Sequence, residues 1–146
     1  MDIFEALRAD HETQRTLVDL LVKTHGDSDG RHELFEKLKS ALSAHAAAEE
    51  RHFYAPLMHN DTTQKKVRHS VAEHHELDEL LEQLTDTDYS SPGWLPCAKQ
   101  LRERVHHHLD EEEREVFQLA GKTIDAKQKE TLAKAYQAEM GAKLGT

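Results

Sequence analysis

The chain has 146 residues, enough for one domain that buries about two-thirds of its unfolded surface, and its net charge of −9, from 19 Lys and Arg against 28 Asp and Glu, argues against nucleic acid or an anionic membrane as a partner. A single cysteine, Cys97, excludes an internal disulfide and any multi-cysteine metal site. No run approaches the roughly 18 apolar residues of a membrane span, and the opening MDIFEALRAD has neither a basic nor an apolar leader segment, so a cytoplasmic protein is expected.

Three prolines and six glycines fall in clusters between long stretches rich in Ala, Leu, Glu, Lys and Gln. A first helix is expected over about 2–25, stopped by GDSDG (26–30), and a second over about 31–58, stopped near HND (59–61). Asp61 or Thr62 is available to cap a third helix over about 62–86. After the loop TDTDYSSPGW (85–94), a fourth runs from Pro92 or Leu95 to Ala120, with Gly121 ending it. Asp125 with Gln128 forms a capping-box pattern for a fifth helix over about 125–143. The expected fold is all-α: one domain over 1–146, an up-down-up-down four-helix bundle over about 1–120 with an additional C-terminal helix packed outside it.

Steps of three and four residues trace one apolar stripe on each helix. The stripes are Phe4, Leu7, His11, Val18 and Leu21; then Leu34, Leu38, Leu42, His45, Glu49, Phe53 and Leu57; then Val67, Val71, His74, Leu77, Leu81 and Leu84; and last Cys97, Leu101, Val105, His108, Glu112, Val116 and Leu119. Each carries a histidine at its middle. In RVHHHLDEEER (104–114), only His108 and Glu112 lie on the apolar row; His106, His107, Glu111 and Glu113 lie on rows that read as surface. An internal repeat selects the same residues, because His11 and His74, His45 and His108, and Glu49 and Glu112 are each separated by 63 positions. At about 1.5 Å of rise per residue in antiparallel legs, all six groups reach a common height in the bundle.

An isolated HxxxE pair means little, since His32/Glu36, His69/Glu73, His75/Glu79 and His107/Glu111 also have that spacing. Six such groups in one apolar layer are different. Each would cost several kcal/mol unless paired or ligated. Four imidazoles and two carboxylates without a thiolate suit iron, with manganese or zinc as alternatives. Two ions sharing the glutamates, with an oxo or hydroxo bridge, would leave an open position on each. Cys97 reads as core packing.

The segments ADHE at His11, HAAAEERHFYAPL at His45 and Glu49, EHHELDELL at His74 and HHHLDEEEREVF at His108 and Glu112 resemble the haemerythrin-like HHE cation-binding family in order and spacing. The resemblance implies a non-haem di-iron centre bridged by Glu49 and Glu112, with His11, His45, His74 and His108 as terminal ligands. It implies a small ligand, dioxygen, nitric oxide or peroxide, in oxygen sensing or in oxidative or nitrosative stress. Oxygen carriers of the family have a fifth histidine where this chain has Ser70, so sensing or ligand chemistry is expected over reversible carriage, with His52 and Tyr54 as candidate substitutes and His69 about 140° off the stripe. An iron-storage or iron-responsive module without catalysis is the alternative. A monomer or weak homo-oligomer is expected, with Tyr89, Trp94 and Tyr136 either exposed contacts or packing for the loop and tail.

Overall fold

The computed structural model describes residues 1–145. Helix α1 (Ile3–Leu21) opens on a reciprocal capping box between Asp2 and Glu5, which satisfies donors that the first turn leaves free. Helix α2 (Asp29–Glu49) is capped by Ser28, widens into a π-helical turn at Glu50–Tyr54 and closes with Ala55–Leu57. Helix α3 spans Gln64–Thr85. Helix α4 (Trp94–Glu111) repeats the pattern of α2, with a π turn at Glu112–Val116 and a final segment Phe117–Gly121. Helix α5 (Ala126–Leu144) begins at the expected Asp125–Gln128 capping box. No helix among the described residues is long and apolar enough to cross a membrane.

The start of α3 differs from expectation. Neither Asp61 nor Thr62 caps it; Thr63 stands at that position, buried, and its hydroxyl donates to the Leu57 carbonyl at 2.7 Å. The short α2–α3 connection is thereby tied to the end of the preceding helix.

The apolar interior forms two clusters with the histidine layer between them. One gathers Ile3, Leu7, Phe53, Leu57, Val67 and Phe117; the other gathers Val18, Phe35, Leu38, Leu81, Trp94 and Leu101. Trp94 is fully buried against Phe35, with the Arg31 guanidinium 4.5 Å above its ring, and Arg31 also binds the Tyr89 and Thr24 carbonyls at 2.7 and 2.8 Å. Trp94 is therefore a loop anchor and not an exposed contact. The π turn of α4 shifts the expected stripe: beyond Val116 the buried residues are Phe117 and Ala120, and Leu119 is only half-buried. A π turn inserts one residue into the helical repeat, so a 3.6-residue count slips beyond it.

Helix α5 is not merely an outer layer. It packs on α1 and α2 and buries Ala133, Tyr136 and Met140, with Tyr136 reaching the histidine layer.

Candidate metal centre

His11, His45, His74, His108, Glu49 and Glu112 are all at most 4% exposed and converge in one layer. Their closest approaches are His11 Nε2 to Glu112 Oε1 at 3.2 Å, His45 Nε2 to Glu49 Oε1 at 3.4 Å and His74 Nε2 to Glu49 Oε1 at 3.2 Å. His108 Nε2 lies 3.9 Å from Glu112 Oε2. The six divide into two overlapping sets: His11, His45, Glu49 and Glu112, and Glu49, His74, His108 and Glu112, with ligand atoms in each set within 4.8 Å of one another. Both glutamates belong to both sets. Each also touches one histidine from either set, the arrangement that bridging carboxylates require.

The four Nε2 atoms, both Glu49 oxygens and Glu112 Oε1 are buried and have no hydrogen-bond partner among the described residues. Leaving so many polar atoms unsatisfied in an apolar interior is expensive. Donor atoms 3.2–3.9 Å apart lie within the span that two ligands of one ion with bonds of about 2.0–2.2 Å can cover, so the residues fit bound metal.

The opposite ring nitrogens are all engaged. His11 Nδ1 donates to Glu113 at 2.6 Å, His74 Nδ1 to Glu50 at 2.8 Å and His108 Nδ1 to Glu73 at 2.9 Å. His45 Nδ1 donates to the Tyr136 hydroxyl at 2.5 Å, and that hydroxyl donates in turn to Asp10. A proton held on Nδ1 leaves the Nε2 lone pair facing inward, the orientation that metal-ligating histidines need.

Burial lowers the pKa of His11 and His108. At His45 burial is outweighed by Glu49 and Asp10, and at His74 by Glu49 and Glu50, which raise His74 to about 9. Burial and the charge of Glu49 push Glu112 well above the usual carboxylate range; Glu49, against its own burial, is held well below it by His45 and His74. Two carboxylates this close do not both ionise readily, and a cation removes that conflict.

All of these ligand candidates lie within residues 2–120, the span that matches the Hemerythrin HHE cation binding domain family. The chain belongs to that family. A solved hemerythrin HHE cation binding domain-containing protein from Mycobacterium kansasii superposes with a TM-score of 0.89 at 25% identity, covering 99% of this chain and 88% of that one. A DNA nickase from Nostoc sp. (strain PCC 7120 / SAG 25.82 / UTEX 2576) is 28% identical over 138 residues, which are 94% of this chain and 39% of the nickase. The chain thus spans about two-fifths of that relative's length.

Within this haemerythrin domain the auxiliary candidates separate. Ser70 is buried at the fifth-histidine position. His69 is largely exposed, and His52 donates to Glu139 of α5 at 2.9 Å, away from the layer. Tyr54 is buried, stacks on His74 at 5.6 Å and donates its hydroxyl to Glu112 Oε2. Cys97 is buried and its thiol pKa is raised by that burial, in keeping with a packing role.

Sequence reasoning missed the outer partners Glu50, Glu73, Glu113, Asp10 and Tyr136. Glu113 reads as surface by periodicity, yet its side chain is 18% exposed. The signal was the 63-residue repeat extended one step: Glu50 and Glu113, and Asp10 and Glu73, are repeat mates just as their histidines are. Asp10 is one methylene shorter than Glu73 and stands 3.8 Å from His45 Nδ1, with the Tyr136 hydroxyl making the connection. No repeat in the chain announces Tyr136.

Proposed function

We propose that this haemerythrin domain holds two iron ions through the Nε2 atoms of His11, His45, His74 and His108, bridged by Glu49 and Glu112, and uses them on dioxygen, nitric oxide or peroxide in oxygen sensing or oxidative and nitrosative stress. The observation that carries the reading is the set of seven buried, partnerless donor atoms facing one another across a layer whose outer nitrogens are all tied down. Bound iron would supply open coordination positions and electrons for such a ligand.

The ligand's size follows from the space beside the layer. A cavity of about 10 Å³ lies between Gln14, Leu42, Leu77 and the histidines His45, His74 and His108, the scale of about one water. That scale is in keeping with a very small ligand. Gln14 is 2% exposed, and its Nε2 donor has no partner among the described residues, so it can donate to a ligand there. Its repeat mate is Leu77, so the polar group stands on one side of the layer only.

The nickase name describes a protein of which this chain covers 39%, and a net charge of −9 gives no electrostatic reason to carry DNA binding across. The test is metal analysis of the purified chain together with anomalous diffraction at the iron edge. Two iron peaks within bonding distance of the six residues are expected; zinc there, or no metal from iron-replete cells, overturns the reading.

A further inference from the structure

Outside the buried layer, two of the HxxxE pairs that spacing alone leaves meaningless, His69/Glu73 on α3 and His107/Glu111 on α4, are packed against each other. We propose that these four residues form a second, solvent-facing divalent-cation site of the zinc class.

Distances carry the proposal. His69 Nε2 lies 3.2 Å from Glu111 Oε1 and 3.6 Å from Glu73 Oε2. His107 Nε2 lies 2.9 Å from Glu111 Oε2 and 3.5 Å from the same Glu73 Oε2. A tetrahedral zinc with bonds of about 2.0–2.1 Å holds its ligand atoms roughly 3.3–3.4 Å apart; the two His69 contacts lie close to that edge length, and His107 reaches Glu111 through its other oxygen. Three of the four exceed the roughly 2.7–2.9 Å of a charge-assisted hydrogen bond. His69, Glu73 and Glu111 each offer an atom within 4.8 Å of the other two; His107 lies outside that set and adjoins it through Glu111 Oε2 and Glu73 Oε2.

Glu73 provides an independent observation. It is only 7% exposed, and its Oε1 is fixed by His108 Nδ1 at 2.9 Å, which leaves Oε2 held toward the two outer imidazoles. A buried carboxylate positioned from behind, with imidazoles whose side chains are 54% and 57% exposed at its mouth, combines a preorganised ligand with an entry path. The nearby Lys66 ammonium is drawn off by Glu115 at 3.1 Å. Two imidazoles and two carboxylates suit zinc, cobalt or nickel; the absence of thiolate disfavours copper(I), and the imidazoles disfavour calcium and magnesium. Glu73 links this site to His108 of the buried layer, but the outer site does not need iron within.

The experiment uses the full chain as purified. Crystals soaked in zinc chloride should give an anomalous zinc peak bonded to His69, Glu73, His107 and Glu111. In solution, calorimetric titration should show one zinc equivalent that is lost in the His69→Ala/His107→Ala double variant and in Glu111→Gln, and kept in His32→Ala, which alters an exposed His–Asp pair elsewhere. Iron content should be the same in all four proteins. No peak at these residues, equal uptake by the double variant, or equal loss in His32→Ala overturns the proposal. Zinc in the buried layer would appear at a different position and bears on the di-iron reading instead.

Discussion

His11 donates through Nδ1 to Glu113 at 2.6 Å, and 63 residues along the chain His74 makes the corresponding bond to Glu50 at 2.8 Å. The partners cross between the two halves of the repeat: the glutamate of each half serves the histidine of the other. Helices α1 and α4, and α2 and α3, are thus tied together at the layer itself. Orientation of a ligand ring from behind is commonly worth about 10–100-fold in metal affinity. Glu113→Ala and Glu50→Ala should each weaken iron retention by about that range, measured by competition against a chelator. Retention equal to the unaltered chain in both would show that the layer does not depend on its outer carboxylates.

Neighbouring residues in RVHHHLDEEER give a sharper test of the face assignment. His108 and Glu112 are at most 2% exposed and lie in the layer, whereas the His107 side chain is 57% exposed and Glu111 turns toward it. His108→Ala or Glu112→Ala should lower iron per chain to roughly half or less, since each residue serves a four-group set. His107→Ala and Glu111→Ala should leave it near the unaltered value. Equal losses in all four, by acid extraction and iron assay, would refute the assignment.

The layer was legible in the sequence because burial and repeat agree there: six residues on greasy stripes, at the same height, 63 apart in pairs. What lay outside that pattern was not legible, for identifiable reasons. Glu113 follows Glu112 directly, so periodicity places it off the stripe; the π turn at Glu112–Val116 and the Arg15 guanidinium, 3.1 Å away, let it lie half-buried. Tyr136 comes from a helix with no strong apolar stripe, and only the docking of α5 on α1 and α2 delivers its hydroxyl to His45. His107 reads as a surface residue and His69 lies off the apolar stripe, but which such residues meet across two helices is a property of packing and not of spacing.

Acid should expose the Glu113 contact directly. Against its partial burial, His11 and Arg15 hold this carboxyl at about 2, below its ordinary 4.5. A depressed carboxyl stabilises the fold fully above its unfolded pKa, and the contribution is lost as pH falls toward the folded one. The destabilisation caused by Glu113→Gln, on the order of 1 kcal/mol given its partial exposure, should therefore be complete above pH about 5 and shrink steadily below about 4.5. Thermal unfolding of metal-free protein across that range checks it; a deficit that grows on acidification would reverse the sign and the explanation.

Ser70 at the fifth-histidine position sets an expectation for oxygen. It is buried, and its side chain offers no imidazole to metal held in the layer. The reduced protein mixed with oxygen should oxidise rapidly and one way, followed by stopped-flow absorption. A stable visible band that disappears on degassing would instead identify a carrier.

Gln14 separates ligand binding from metal binding. It sits one helical turn beyond His11 on the same face of α1 and lines the cavity beside His45, His74 and His108, but its amide bonds to none of the site residues among the described atoms. Gln14→Leu removes the donor and installs the residue that already occupies its repeat mate, Leu77, so the apolar packing has a precedent within the same fold. A neutral hydrogen bond of this kind contributes about 0.5–1.5 kcal/mol, which corresponds to a loss of roughly 2- to 13-fold in affinity at about 0.59 kcal/mol per RT. Anaerobic titration of the iron-loaded variant with nitric oxide, followed by absorption, should show that loss at unchanged iron content. A fall in iron would mean that Gln14 supports the layer itself, and unchanged nitric oxide affinity would mean that the ligand does not enter through this cavity.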